Sequence, residues 1–191
     1  MMQKITVLVL NLFDYFHKKK IINFLKKKFS SLDVVFDVGA HKGESVELFI
    51  GNFIIKELYS FEPSFKNFSY LNSNIQKIQK KYKSTNFKIF NFGFGAIKDK
   101  LFLKQAAESS SSTLSDINKN SNYYKAKIKF LNGKESDHNF FEEFEVEIKT
   151  IDSFVSENSL KKIDLLKIDT EGHEHYVLKG FEQHMKIVKY I

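Results

Sequence analysis

The chain has 191 residues, of which 42% are apolar, so it is long and apolar enough for one globular domain and not for a disordered protein. It contains no cysteine, which excludes disulfides, thiolate nucleophiles and cysteine-bound zinc and suits a reducing compartment such as the cytoplasm. The formal charge is +7, but all 30 basic residues are lysines. We therefore expect a solvated lysine surface and no nucleic-acid partner.

Residues 1–32 are predicted to form an N-terminal helical segment. The apolar run from Ile5 to Leu10 is too short to cross a bilayer, and no signal-peptide cleavage site follows it. We expect the helix to pack on the domain; the alternative is a basic amphipathic helix lying on an anionic membrane. Apolar residues recur on one helical face, and lysine clusters flank them: Val9, Leu12, Phe13, Phe16, Ile21, Leu25 and Phe29, with Lys18 to Lys20 and Lys26 to Lys28.

Residues 33–191 are predicted to form one α/β domain. Strands and helices alternate through its first half, which favours a parallel sheet with right-handed crossovers. Pro63 is predicted to start the second helix, where its missing N–H is not needed. Apolar runs predict three buried strands, at 33–38, 57–62 and 87–95. Apolar residues at helical spacing predict two helices: Val46, Phe49, Ile50 and Phe53, then Phe65, Phe68, Leu71, Ile75 and Ile78.

The middle of the chain has a different pattern. The polar, serine-rich stretch 105–122 predicts a mobile loop. Residues 124–130 and 144–150 alternate strictly and place lysines and glutamates, respectively, on one face. We expect these two strands to pair as an inserted antiparallel hairpin, with a turn at Asn132-Gly133.

The C-terminal part resumes the α/β pattern. Residues 163–169 predict a fourth buried strand, and residues 170–181 predict a turn and a helix capped by Gly180. Residues 186–191 predict the start of a fifth strand.

Three of the predicted strands end in an acid, namely Asp37, Glu62 and Asp169. Acids are uncommon in strands, and ligands bind beyond the carboxyl ends of parallel strands. We therefore expect the three side chains to share one ligand site. The alternative is that each acid only caps the helix that follows it.

Gly39 and Gly43 lie where the first strand turns into a helix, and such a turn brings bare backbone and N–H groups to an anionic ligand. Their spacing differs from the G-x-G-x-x-G fingerprint, which disfavours a nicotinamide-dependent oxidoreductase. Glu62 is suited to accept the two hydroxyls of a ribose. An anion-binding turn, an acid for an ammonium and an acid for a ribose together complement S-adenosylmethionine.

Four stretches, FDVGAHKGES, LYSFEPSFKNFSYL, TIDSF and IDLLKIDTEGHEHYVLKG, resemble the FkbM family of S-adenosylmethionine-dependent methyltransferases in the family's order. The resemblance implies the class I fold, a three-layer, mostly parallel, Rossmann-like α/β sheet. It also implies methylation of hydroxyl oxygens, often on sugars. Class I sheets have seven strands, so we expect the last antiparallel strands to be missing here. The expected cofactor-binding residues are Asp37, Gly39, Ala40, His41, Gly43, Glu62, Pro63 and Gly93.

A hydroxyl is a weak nucleophile, so a general base is expected beside it. The candidates follow the fourth strand: His173, whose ordinary pKa lies near neutral pH, then Asp169 and Glu174. The alternative for His173 is hydrogen bonding at the helix start. A cation held by Asp169, Glu171 and His173 matches no metal-site spacing, so we predict no metal.

Pro63 is the only proline, so the Asn/Asp-Pro-Pro-Tyr/Phe motif of nucleic-acid amino-methyltransferases cannot occur. We expect a carbohydrate or small-molecule acceptor, with peripheral membrane contact and oligomerisation left open. A different class of function is a truncated, noncatalytic protein of this fold that acts by binding or does not function alone. Its exposed sheet edge would then pair with another chain.

Overall fold

The computed structural model describes residues 16–106, 112–114, 121 and 141–191. Helix α1 is described over residues 16–28. The elements that follow are β1 (Ser31–Val38), α2 (Glu44–Ile50), β2 (Ile54–Phe61), α3 (Phe65–Lys81), β3 (Asn86–Phe90), β4 (Gly93–Phe94), β5 (Asp99–Ala106), β6 (Ser112–Thr113), β7 (Phe141–Lys149), α4 (Ile151–Glu157), β8 (Leu165–Ile168), α5 (Glu174–Lys179) and a 3-10 helix (Met185–Ile187).

The described strands form two sheets. The first has the order β3-β2-β1-β8, and all its neighbours are parallel. The second has the order β4-β7-β5-β6, in which β4 is parallel to β7 and the other pairs are antiparallel. The parallel sheet confirms the α/β class expected from the alternation, and it places β1 between β2 and β8.

Apolar residues cover both faces of the parallel sheet, as its near-continuous apolar strands require. One face packs against α1, α2 and α3 through Leu32 and Val35 of β1 and Ile55 and Leu58 of β2. The other face packs against α4 and α5 and is aromatic. Its centre is Phe61, whose ring lies within 6 Å of five other phenylalanines, namely Phe36, Phe90, Phe92, Phe94 and Phe154.

Helix α1 packs on the domain through Ile22 and Leu25, which are buried in the same cluster as β1 and α2. Phe16, Ile21 and Phe24 remain exposed on its other side. The predicted face residues Val9, Leu12 and Phe13 lie outside the described residues. No helix in the described part of the chain is long and apolar enough to cross a membrane. The domain boundary at residue 33 stays a prediction.

The predicted third strand is in fact two strands in different sheets. β3 ends at Phe90, and β4 begins at Gly93 in the second sheet. Asn91 lies between them and donates side-chain hydrogen bonds to the carbonyl oxygens of Glu62 and Pro63, which fixes the break. The prediction that α3 starts at Pro63 is wrong by two residues.

Helix α3 begins at Phe65 because the residue before it, Ser64, is the N-cap. The Ser64 hydroxyl oxygen accepts a hydrogen bond from the backbone N–H of Asn67 at 3.2 Å. Its hydroxyl also donates to the side chain of Gln105 at 2.7 Å, which ties the start of α3 to β5.

Strand β7 pairs with β5 in the described structure, and the 124–130 strand predicted as its partner lies outside the described residues. Opposite charges do meet across the observed pair, because Lys100 of β5 lies 2.8 Å from Glu145 of β7. The stretch 105–122 is predicted as a loop, but Gln105 and Ala106 belong to β5 and Ser112 and Thr113 form β6.

The prediction that residues 186–191 begin a fifth strand is wrong. The chain there forms the 3-10 helix and an isolated bridge between Ile163 and Val188.

Candidate functional site

The carboxyl ends of β1, β2 and β8 meet around one cavity of about 500 Å³, a volume typical of small-molecule sites. The strand order puts these three ends side by side. Of the three acids expected to share one site, Asp37 is fully buried and does not line this cavity. Glu62 and Asp169 line the cavity, and Lys167, Leu114 and Phe94 complete its wall.

Glu62 is buried and held in place by backbone groups. Its Oε2 accepts a hydrogen bond from the N–H of His41 at 2.8 Å, and its Oε1 accepts one from the N–H of Ser64 at 2.9 Å. Burial raises the pKa of Glu62 to about 7, although these two N–H groups favour the charged form. Each carboxylate oxygen can accept two hydrogen bonds, so acceptor capacity remains on the cavity side.

The turn after β1 requires glycine at residue 39. Gly39 has φ of 76°, and a Cβ there would lie 2.0 Å from the carbonyl oxygen of Asp169. The turn's N–H groups are not open to an anion, because those of Gly39 and Ala40 both donate to the carbonyl oxygen of Phe61. Gly43, with φ of 100°, is the N-cap of α2 and does not line the cavity.

Asp37 forms an ion pair beneath the cavity floor. It faces Lys167 in the β1–β8 register and has no exposed surface. The Lys167 ammonium lies 3.0 Å from Asp37 Oδ1 and donates to the carbonyl oxygen of Gly39 at 2.9 Å. Burial raises the pKa of Asp37, and Lys167 opposes that rise. The charge that the cavity meets here is therefore the ammonium of Lys167 and not the carboxylate of Asp37.

Six of the eight expected cofactor-binding residues line the cavity, and Asp37 and Gly43 do not. The six are Gly39, Ala40, His41, Glu62, Pro63 and Gly93. The His41 ring nitrogen Nδ1 lies 3.0 Å from Glu44 Oε1, which orients the imidazole at the cavity edge.

The three candidate bases lie in different surroundings. Asp169 lines the cavity and its side chain is 66% exposed. Glu174 does not line the cavity; its carboxylate accepts hydrogen bonds from the N–H groups of Thr170 at 2.9 Å and Gly172 at 3.1 Å. Burial acts to raise the pKa of Glu174, but these backbone hydrogen bonds lower it overall. Glu174 therefore holds the turn that follows Asp169.

His173 lies at the start of α5 and lines a second cavity, not the one that holds Glu62. Its side chain is buried, and in the described part of the chain neither ring nitrogen has a hydrogen-bond partner. Burial lowers the pKa of His173, and the charge of Glu174 opposes this effect. In the described part of the chain, no group of three His, Asp or Glu residues is placed to hold a metal ion.

The family model of the methyltransferase FkbM domain matches residues 37–190. The chain belongs to the FkbM methyltransferase family. Among solved structures, the methyltransferase FkbM from Methylobacillus flagellatus KT is similar, with a TM-score of 0.51 and 17% identity over 80% of this chain. The chain spans 30% of the length of that relative. No curated protein matches it. The family match confirms the resemblance carried by the motifs.

Sequence reasoning missed Lys167 as a residue of this FkbM site. One signal was present, because Lys167 is the only basic residue inside the apolar run 163–169. A lysine inside a buried strand needs an acidic partner, and Asp37 is the acid at the same level of the neighbouring strand. His17 and Lys18 of α1 also line the cavity, and no pattern predicted their approach.

Proposed function

We propose that this FkbM protein is an S-adenosylmethionine-dependent methyltransferase that methylates a hydroxyl oxygen of a carbohydrate or other small molecule. One observation carries the proposal: a buried carboxylate, Glu62, is fixed by two backbone N–H groups at the edge of a cavity of about 500 Å³. A fixed carboxylate beyond the second strand of a parallel sheet suits the vicinal hydroxyls of a nucleoside. The strand order around β1 supports the class I arrangement.

The residues present fit the charges of this cofactor. Glu62 has acceptor capacity for the two ribose hydroxyls. Lys167, which lines the cavity and whose ammonium pairs with Asp37 and Asp169, would hold the carboxylate of the amino-acid end. The backbone of the Gly39 turn lines the cavity, but its N–H groups are already hydrogen-bonded and would not bind the cofactor. Glu62, when it is ionised, and Asp169 would place negative charge beside a sulfonium.

Asp169 is the proton acceptor that we assign. Among the three candidate bases, it alone lines the cavity with Glu62. When bound, S-adenosylmethionine would supply an electrophilic methyl group to the acceptor oxygen, with its thioether as the leaving group. Asp169 then takes the hydroxyl proton, directly or through water. Glu174 positions Asp169 by holding the turn of Thr170 and Gly172.

The proposal extends to location and partners. We place the protein in the cytoplasm with a small-molecule or carbohydrate acceptor and no nucleic-acid partner. Helix α1 is the segment suited to peripheral membrane contact, since residues 16–28 carry six lysines and no acid. Phe16, Ile21 and Phe24 are exposed on the same helix.

Calorimetric titration of the full chain with S-adenosylmethionine tests the proposal. We expect saturable binding by the wild type, at least tenfold weaker binding by Glu62→Gln, and unchanged binding by Glu47→Gln, whose side chain is exposed on α2. Transfer of a labelled methyl group to a panel of sugars then tests the reaction. A folded wild type that does not bind, or equal affinity of wild type and Glu62→Gln, would reject the proposed cofactor site.

A further inference from the structure

The second cavity, about 850 Å³ in volume, lies beside α5. The loop of residues 95–97 and Ile148 of β7 give it apolar lining, and His173 and Tyr176 line it as well. The His173 and Tyr176 rings stack, with centroids 4.8 Å apart and an angle of 28° between their planes. Apolar side chains beside stacked rings suit a flat molecule with a partly apolar frame.

His173 is the group in this cavity that points to a ligand. Only 6% of its surface is exposed, and neither Nδ1 nor Nε2 has a hydrogen-bond partner among the residues that the structure describes. Buried polar groups nearly always have partners, and an unpaired one destabilises the fold. Gly95 keeps the ring accessible, because a Cβ at that residue would lie 3.2 Å from His173 Nε2.

The position of this cavity ties it to the cofactor site. Leu114 lines both cavities, so their contents are separated by as little as one side chain. An acceptor must reach the methyl group from a neighbouring space, and the second cavity is such a space. Gly93 faces the first cavity and Gly95 the second, so the short segment after β3 lies against both.

We propose that the second cavity binds the non-reacting part of the acceptor, a neutral group with hydroxyls on a partly apolar ring frame, and that His173 hydrogen-bonds to those hydroxyls. This inference rests on the proposed methyltransferase function. A neutral imidazole offers one N–H donor and one nitrogen acceptor, so it can pair with both the acceptor and the donor side of a hydroxyl. Asp99 and Glu182 outnumber Lys179 among the charged residues of the cavity, so an anionic group is disfavoured there.

Phenyl β-glucoside is a suitable probe, since it is neutral and joins an apolar ring to several hydroxyls. We expect the histidine ring signals of His173 in full-length, isotope-labelled protein to shift saturably with this probe. His173→Leu should weaken binding at least tenfold while S-adenosylmethionine affinity stays within twofold. His175→Leu, the matched control, replaces an exposed neighbour and should bind like the wild type. The anionic phenyl β-glucuronide should bind at least tenfold more weakly than the glucoside.

A thermal melt separates ligand binding from a structural role. Because the His173 nitrogens have no partner to lose within the described ranges, His173→Leu should melt at the wild-type temperature or above it. A large loss of stability, or unchanged probe affinity in His173→Leu, would overturn the inference. Failure of the probe in a protein that binds S-adenosylmethionine would reject the second cavity alone. Failure to bind S-adenosylmethionine would reject the proposed function and, with it, the acceptor role of this cavity.

Discussion

Replacing Glu62 by glutamine should change how the stability of the protein depends on pH. Burial raises the pKa of Glu62 from an ordinary value of 4.5 to about 7 in the folded protein. Between these two values the folded protein holds a proton that the unfolded chain has released. The contribution of Glu62 to stability is therefore most favourable below pH 4.5, and it declines as the pH rises to about 7.

The size of this effect follows from the two pKa values. A rise of the pKa from 4.5 to about 7 corresponds to about 3 kcal/mol of free energy of unfolding. Glutamine does not titrate, so the stability of Glu62→Gln relative to wild type should increase by about 3 kcal/mol between pH 4 and pH 8. The glutamine amide cannot accept from both backbone N–H groups, but that loss is the same at every pH and leaves the difference in slope unchanged.

Urea denaturation of both proteins at intervals from pH 4 to pH 8 measures the effect. S-adenosylmethionine affinity gives a second readout, because ribose hydroxyls donate best to an ionised carboxylate. Wild-type affinity should fall up to tenfold for each pH unit below 7 and stay flat above it, while Glu62→Gln should show no such titration. Parallel stability curves for the two proteins would refute the reasoning, since they would mean that the pKa of Glu62 is the same in the folded and the unfolded protein.

Three further substitutions test the geometry of the site. Gly39→Ala should lower the free energy of unfolding by more than about 3 kcal/mol, because its Cβ would lie 2.0 Å from a carbonyl oxygen. Gly43→Ala should lower it by about 1–2 kcal/mol, because the new Cβ meets only a flexible side chain. Equal melting temperatures of the two variants would contradict this order. Lys167→Met should lower the free energy of unfolding, measured by urea denaturation, by about 3–5 kcal/mol, because it leaves Asp37 unpaired. Adding Asp37→Asn should restore at least half of this loss, and additive losses of the two substitutions would argue against the ion pair. The pKa of Glu174 is lowered in the folded protein, so its charged form stabilises the fold. Glu174→Gln should therefore lower the free energy of unfolding by about 1–2 kcal/mol at pH 7, and by progressively less as the pH falls through the folded-state pKa. A loss that does not change with pH would contradict this prediction.

The parallel sheet could be predicted because its strands carry their own signals. β1, β2 and β8 read as apolar runs that end in or next to an acid, since both faces of the sheet are covered and only the carboxyl ends reach a cavity. Those ends placed Glu62 and Asp169 at one site before any contact was known. The helix that follows β2 was also predictable, apart from its first two residues.

The second sheet could not be predicted, because its pairing depends on contacts between distant segments. β5 lies about 40 residues before β7 in the chain, and the local sequence of neither strand indicates which strand it pairs with. The split of β3 from β4 depends on Asn91, whose side chain bonds to backbone carbonyls around 28 residues away. The separation of His173 from Asp169 depends on which way the turn between them leads.

The order in which the ribosome makes the strands has a consequence for Asp37. Its carboxylate is enclosed against Lys167, which is synthesised 130 residues later. Until then, the growing chain has no countercharge at that level of β1, and burying Asp37 alone would be strongly unfavourable. β1 can join β2 and β3 early, but its other edge must stay hydrated until β8 emerges. Closure of the sheet is thus a late event in translation, and a nascent chain halted before residue 167 should remain sensitive to protease along β1.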